Sequence, residues 1–263
     1  MILVMSNDTK KIMKAVKRHH QYLEDQGYHV VFTSLIGSQN YNLADENSDI
    51  DTYSFIYPTF DQFAAKVDPE IKTIQLDDGQ CNIKDVRTAL YLLQNTSPNS
   101  VEYFTSKYKV YNPIYKDILS TYLKDGCDSK LWYMTHSNYR HMYNAIIGMS
   151  IQLTQRNMPA GKRYSHALRL QDMADHFRIS PTAGAILEMD WARRELAMRA
   201  KRSTDDGYYD KLTQQVAEEL KESCNKDVYV EWQKEIEDAG RIYIQDFARE
   251  LFKRYINVLN GGY

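Results

Sequence analysis

The chain has 263 residues, enough for one large domain or two small ones, and its 43% hydrophobic and 26% charged residues are those of a soluble globular protein. No apolar run is long enough to span a bilayer, and MILVM before the polar SNDTKK is too short for a signal peptide. A net charge of −2 argues against a surface coated in positive charge, though 33 Lys and Arg leave room for a local basic groove; Cys81, Cys127 and Cys224 lack metal-ligand spacing and fit a reducing cytoplasm.

In chain order, residues 8–26 read as a helix, with Ile12, Val16 and Tyr22 near helical spacing and Asp8 able to cap the start. Gly27 ends it. YHVVFTSLIG is β-branched and almost continuously apolar, the pattern of a buried strand, and Gly37-Ser38 break it. A short polar helix or loop runs to Asn47. SDIDTYSFIY is a second strand, closed by Pro58. Residues 71–87 carry a hairpin signal around Asp77-Asp78-Gly79, and a helix through Ala89–Leu93 stops before Ser97-Pro98. VEYFTSKYKVYNP leads to Pro113, after which the pattern is helical, with breaks at Asp125-Gly126, Asn157–Gly161, Ser180-Pro181 and Ser203–Gly207. The tail Asn260-Gly261-Gly262 reads as frayed. The expected class is α+β: a mixed-sheet α/β domain over 1–113 and a helical domain over 114–263.

Chemistry concentrates at residues 35–58. Asp49 and Asp51 alternate with Ile50 on the expected strand, so both carboxylates point to one face. Side by side they repel, and a divalent cation removes that cost; hard Mg²⁺ takes a few carboxylate oxygens and completes its shell with phosphates and water. Upstream, Gly37-Ser38 offer a tight turn with free backbone N–H groups suited to phosphate oxygens. An isolated Asp-x-Asp is a weak signal, because most such pairs lie on solvated faces; strand, Gly-Ser, about ten residues and Asp-x-Asp together are far more specific.

That combination resembles the nucleotidyltransferase signature of the DNA polymerase β superfamily. It is similar to the bacterial and phage branch reading G-S-x-x-Y-x-L-x-x-x-x-S-D-x-D, here Gly37, Ser38, Tyr41, Leu43, Ser48, Asp49 and Asp51. Some members of that branch lie beside RNA-repair genes. Fainter matches follow at Asp85, Ser97-Pro98 and Val101-Glu102-Tyr103-Phe104, with Ser97 and Asp85 replacing the usual Asn and Glu; then come Lys162, His166 and Arg169 in K-x-x-x-H-x-x-R.

The resemblance implies Asp49 and Asp51 as metal ligands, with a third carboxylate from Asp85 ahead of Asp77 or Asp78, and with Glu102 as the last candidate or else a brace behind the site. It implies nucleotide contacts from Gly37, Ser38, Tyr41, Ser48, Lys162, His166 and Arg169. The cofactor would be Mg²⁺ in a two-metal site, with Mn²⁺ able to substitute. An oxygen of an acceptor (RNA or other nucleic acid, a protein or a small molecule) would attack the α-phosphorus of an NTP and release pyrophosphate. The rival reading is a non-catalytic protein binding nucleotide or a partner on the same fold. No membrane partner is expected, and the compartment is the cytoplasm, a host's if phage-encoded. His19-His20, His136 and His141 read as structural, Arg193-Arg194 and Lys201-Arg202 as surface charges on a helix, and most of the 21 tyrosines as core or boundary residues.

Overall fold

The computed structural model describes residues 7–45, 48–65, 67, 71–225 and 231–261. MILVM, Asn47 and Gly262, on which parts of the sequence reading fell, lie outside the described residues.

Helix α1 (Asn7–Asp25) opens the chain, with Ile12, Ala15, Val16, His19, His20 and Leu23 buried along one side. Strands β1 (His29–Leu35) and β2 (Thr52–Tyr57) pair antiparallel. A short helix α2 (Phe60–Ala64) starts at a reciprocal Thr59–Gln62 capping box. The expected hairpin forms from β3 (Ile71–Leu76) and β4 (Gly79–Asp85), and β4 lies parallel to β2. Helices α3 (Val86–Gln94) and α4 (Pro98–Thr105) follow; Ser97 caps α4 and Pro98 takes a first-turn position, where its missing N–H costs nothing. The three-residue β5 (Lys109–Tyr111), not evident in the sequence pattern, pairs antiparallel with β1. The mixed sheet therefore runs β3-β4-β2-β1-β5.

The remainder is mainly helical, as expected: α5 (Lys116–Tyr122), α6 (Lys130–Thr135), α7 (Tyr139–Gln155), α8 (Ala160–Ile179), α9 (Trp191–Lys201), α10 (Asp206–Asn225) and α11 (Glu231–Leu259). The fold is α+β. Among the described residues no helix is long and apolar enough to cross a membrane.

One sheet face packs against α1, through Ile12 and Val16 on Leu35 and Ile50, and through Leu23 on Val30, Ile56 and Ile83. On the other, Phe32, Tyr53, Phe55 and Tyr57 meet α3, α4, α5 and, from the far end of the chain, Phe247, Leu251 and Tyr255 of α11. The Tyr255 ring stacks on Tyr57 at 4.0 Å, and its hydroxyl donates to the Pro58 carbonyl. A second core joins α7, α8, α9 and α10, and takes in Tyr41, Leu43 and Val101 from the first half.

Candidate active site

Asp49 and Asp51 sit just before β2 rather than within it, but the alternation survives: Asp49 is exposed, Ile50 buried and Asp51 half-buried. Three hydrogen bonds hold this approach to the sheet. Ile36 N–H donates to the Asp51 carbonyl at 2.9 Å, Ile50 N–H to the Asp78 carbonyl at 2.8 Å, and Gln80 N–H to Asp51 Oδ1 at 2.8 Å. Asp78 is itself fixed from α1, by Arg18 and by His19 Nε2 at 2.8 Å, while His19 Nδ1 lies 2.8 Å from Thr52 Oγ1. Those contacts hold the Asp78 carboxyl below its ordinary range against the opposing effect of its burial, the larger single influence. Neither Asp49 nor Asp51 pairs with a cation among the described residues. A hard divalent cation fits that donor set: two neighbouring carboxylates, one exposed and the other with an oxygen unused.

Asp85 is not brought to them. It opposes Ile56 at the other end of the parallel ladder, five residues past Gln80, or about 16 Å along the strand. There it caps α3 through Arg87 N–H and holds the Arg87 guanidinium with both oxygens, buried at 2% exposure. The structure thus does not bring Asp85 together with Asp49 and Asp51; where it stands it is a helix cap and ion-pair partner. Among the described residues no group of three or more acidic, His or Cys side chains is placed to share a metal.

Gly37-Ser38 lie across the ladder from the aspartates. Gly37 has φ 86° and ψ −158°, backbone that side-chain-bearing residues rarely adopt. Its N–H is not free, as the sequence suggested, but donates to Glu102 Oε1 at 2.6 Å. The 3-10 turn Ser38–Tyr41 follows, leaving the Ser38 and Gln39 amides and the Ser38 hydroxyl for other partners. Ser48 exchanges hydrogen bonds with Asp45 and braces a turn.

Glu102 on α4 is the buried centre behind this loop. Besides Gly37 it accepts from Asn40 Nδ2 at 3.2 Å, and the Tyr41 hydroxyl is turned toward it without a well-aligned bond. Burial raises its carboxyl pKa, against the pull of Arg169 and these donors. Arg169 stacks over the Tyr41 ring at 4.6 Å. Tyr41, expected to contact nucleotide, is 2% exposed and packs under Arg169.

Lys162, His166 and Arg169 do share one side of α8, backed by the buried Ala167, Leu170, Ala174 and Phe177. Lys162 is exposed, and His166 is pushed down to about 3 by burial first, then by the positive charges of Arg169, Lys162, Arg156 and Lys201. A neutral imidazole ringed by cations marks a strongly positive patch beside the Gly37 loop. The patch is linked to the aspartates through aromatic rings. Tyr103, within the field of Arg169, stacks on Tyr53 at 4.1 Å, and Tyr53 lies two residues beyond Asp51 on the same side of β2.

Three cations contribute to the site that the sequence pattern did not place there. Arg194 Nε donates to the Asn42 carbonyl at 2.8 Å and Lys201 Nζ to the Leu43 carbonyl at 2.7 Å, so two cations expected as surface charge clamp the exit of the Gly37 loop. Lys84 lies over the Tyr53 ring at 5.4 Å, its pKa lowered by burial, on the sheet face that Asp51 shares. No local pattern marks the two clamps, whose partners lie more than 150 residues away. Lys84 was findable: it is the one cation in a strand that pairs with the strand after Asp-x-Asp.

Compared with known proteins, residues 5–245 match the family RlaP: RNA repair pathway DNA polymerase beta family. No curated protein matches the chain.

Proposed function

This chain belongs to the RNA repair pathway DNA polymerase β family, and from that premise we propose that it transfers a nucleoside monophosphate from an NTP to an RNA end, releasing pyrophosphate. The observation that carries the reading is the pair Asp49 and Asp51, unneutralised by any cation among the described residues and set opposite Gly37-Ser38. Asp49 and Asp51 would hold the divalent cation, Mg²⁺ or Mn²⁺, which supplies charge neutralisation at the triphosphate and activation of the attacking oxygen.

The chain's own residues do the positioning. Gln80 N–H occupies one Asp51 oxygen and so fixes how the carboxylate is presented. The Ser38 hydroxyl and the Ser38 and Gln39 amides bind phosphate oxygens, and Glu102 holds Gly37 so that these groups point outward. Lys162 and Arg169, with Lys84 from the sheet, balance the charge on the outer phosphates. His166 stays neutral until an anion arrives. Holding reactants in line within such a field is a large part of phosphoryl-transfer catalysis.

The test is transfer of α-labelled NTP to RNA with Mg²⁺. Asp49→Asn and Asp51→Asn should each lower transfer by more than about a hundredfold, with stability unchanged or raised because like-charge repulsion is relieved. Wild-type turnover in either folded variant overturns the assignment.

A further inference from the structure

We propose that the exposed face of α1, together with the groove it shares with Lys107 and Arg194, holds the sugar–phosphate backbone of the RNA acceptor away from its reacting end. The proposal rests on the transferase reading for the identity of the polyanion, and on α1 for the place.

Lys10, Lys11, Lys14, Lys17 and Arg18 fall within nine residues that contain no acid. At helical spacing they occupy an arc of about 120°, beside the buried arc of Ile12, Ala15, Val16 and Leu23, and rise about 12 Å along the axis. All five are exposed. Arg18 alone makes an ion pair, with Asp78, among the described residues. Like charges three and four residues apart each cost a helix a few tenths of a kcal/mol. Among the described residues only the Arg18–Asp78 pair, with Asp8 in the first turn, offsets that cost, and a polyanion removes the rest. A membrane surface fits less well, because the apolar side of α1 is already spent on the sheet and leaves nothing to insert.

The stripe also leads somewhere. At its N-terminal end a groove of about 560 Å³ is lined by Lys11, Gln39, Asn42, Ile50, Lys107 and Arg194, with Asp8 and Asp45 also on its walls. Lys201 lies 3.7 Å from Asp45 and offsets its charge. Ile50 is the residue between the two aspartates, and Gln39 and Asn42 belong to the Gly37 loop. A strand lying along Lys17, Lys14 and Lys10 enters this groove on the α1 face of the sheet, and its terminus rounds the end of β2 at Ile50 to reach Asp49 and Asp51, which face the other side.

The experiment compares Lys10→Ala/Lys14→Ala/Lys17→Ala with a charge-matched control, Lys211→Ala/Lys221→Ala/Lys234→Ala, whose lysines are exposed on α10 and α11. Anisotropy of a labelled single-stranded RNA is followed as salt is varied. The α1 variant should bind about tenfold more weakly or worse, and its log–log salt slope should fall by about 2, since each phosphate contact on a single strand contributes about 0.7. The control should match wild type. Equal weakening in both variants, or an unchanged slope, overturns the proposal. So does tighter binding of single-stranded DNA of the same sequence. The two readings fail separately: RNA binding through α1 without NTP transfer leaves the track standing and sinks the transferase. Transfer to RNA that the α1 variant performs as well as the control, at limiting RNA, does the reverse.

Discussion

Glu102 concentrates the cost of building the site in one side chain. It is buried, it accepts from Gly37 N–H and Asn40, and its neighbours Arg169 and Tyr41 stack on one another. Its raised pKa means that burial outweighs those favourable contacts. A carboxyl whose folded pKa lies above its unfolded value supports the fold fully below the unfolded pKa, and that support is lost as pH rises through the folded pKa. Glu102→Gln keeps an oxygen for Gly37 N–H and removes the buried charge, so at pH 8 it should be as stable as wild type or more so. Glu102→Ala leaves the Gly37 amide unpaired and should lose about 2 kcal/mol or more. Urea unfolding of the three proteins checks the order, and an Ala variant as stable as the Gln variant would show that the Gly37 bond carries nothing. From its place in the motif Glu102 was legible as a site residue but not as ligand or brace, and the burial of Tyr41 was not legible at all. A tyrosine at a signature position looks the same in sequence whether its ring faces substrate or the underside of Arg169.

Among the elements, the β3–β4 hairpin matters most to the aspartates. A Cβ placed on Gly79 would stand 2.5 Å from the Ile50 carbonyl oxygen, so Gly79→Ala must push the backbone that spaces Asp49 from Asp51. Displacement by about 1 Å commonly costs a hundredfold in rate. The variant should therefore lose about ten- to a hundredfold in kcat while staying folded by circular dichroism. In contrast, a Cβ on Gly148 in α7 meets nothing within 4 Å, and Gly148→Ala should stabilise by about 0.5–1 kcal/mol with transfer unchanged. Equal activity in the two variants would break the link between hairpin and site. The hairpin and the Asp-x-Asp approach could be read from sequence because turn chemistry and alternation are local signals. Strand β5 could not, since its three half-buried residues owe their conformation to β1. The clamps from α9 are invisible for the same reason: their partners are backbone carbonyls set in place by the fold.

At the scale of the whole molecule, the buried His20 and His136 and the half-buried His166 set an acid limit. His20 and His136 are pushed down to about 4 and His166 to about 3, burial being the first cause in each. For a group with a depressed folded pKa, stability is present above the unfolded value and is lost as pH falls toward the folded one. The window is therefore pH 6.5 down to about 4, and each histidine can withdraw about 1.4 kcal/mol per pH unit inside it. Denaturant midpoints should fall steeply between pH 6.5 and 5, and bound NTP should soften the fall by letting His166 accept a proton beside phosphate. A flat profile over that range would contradict the burial of these rings. The core facing α3 is shared more widely than an α/β half followed by a helical half suggested, because Phe247, Leu251 and Tyr255 of α11 close it. That closure has a consequence in time. On the ribosome the sheet is made early and the helix that covers its aromatic side emerges after everything it must cover. Until then Tyr57 and its neighbours stay wet, so a product cut short before α11 should be degraded rather than accumulate as a half-active enzyme.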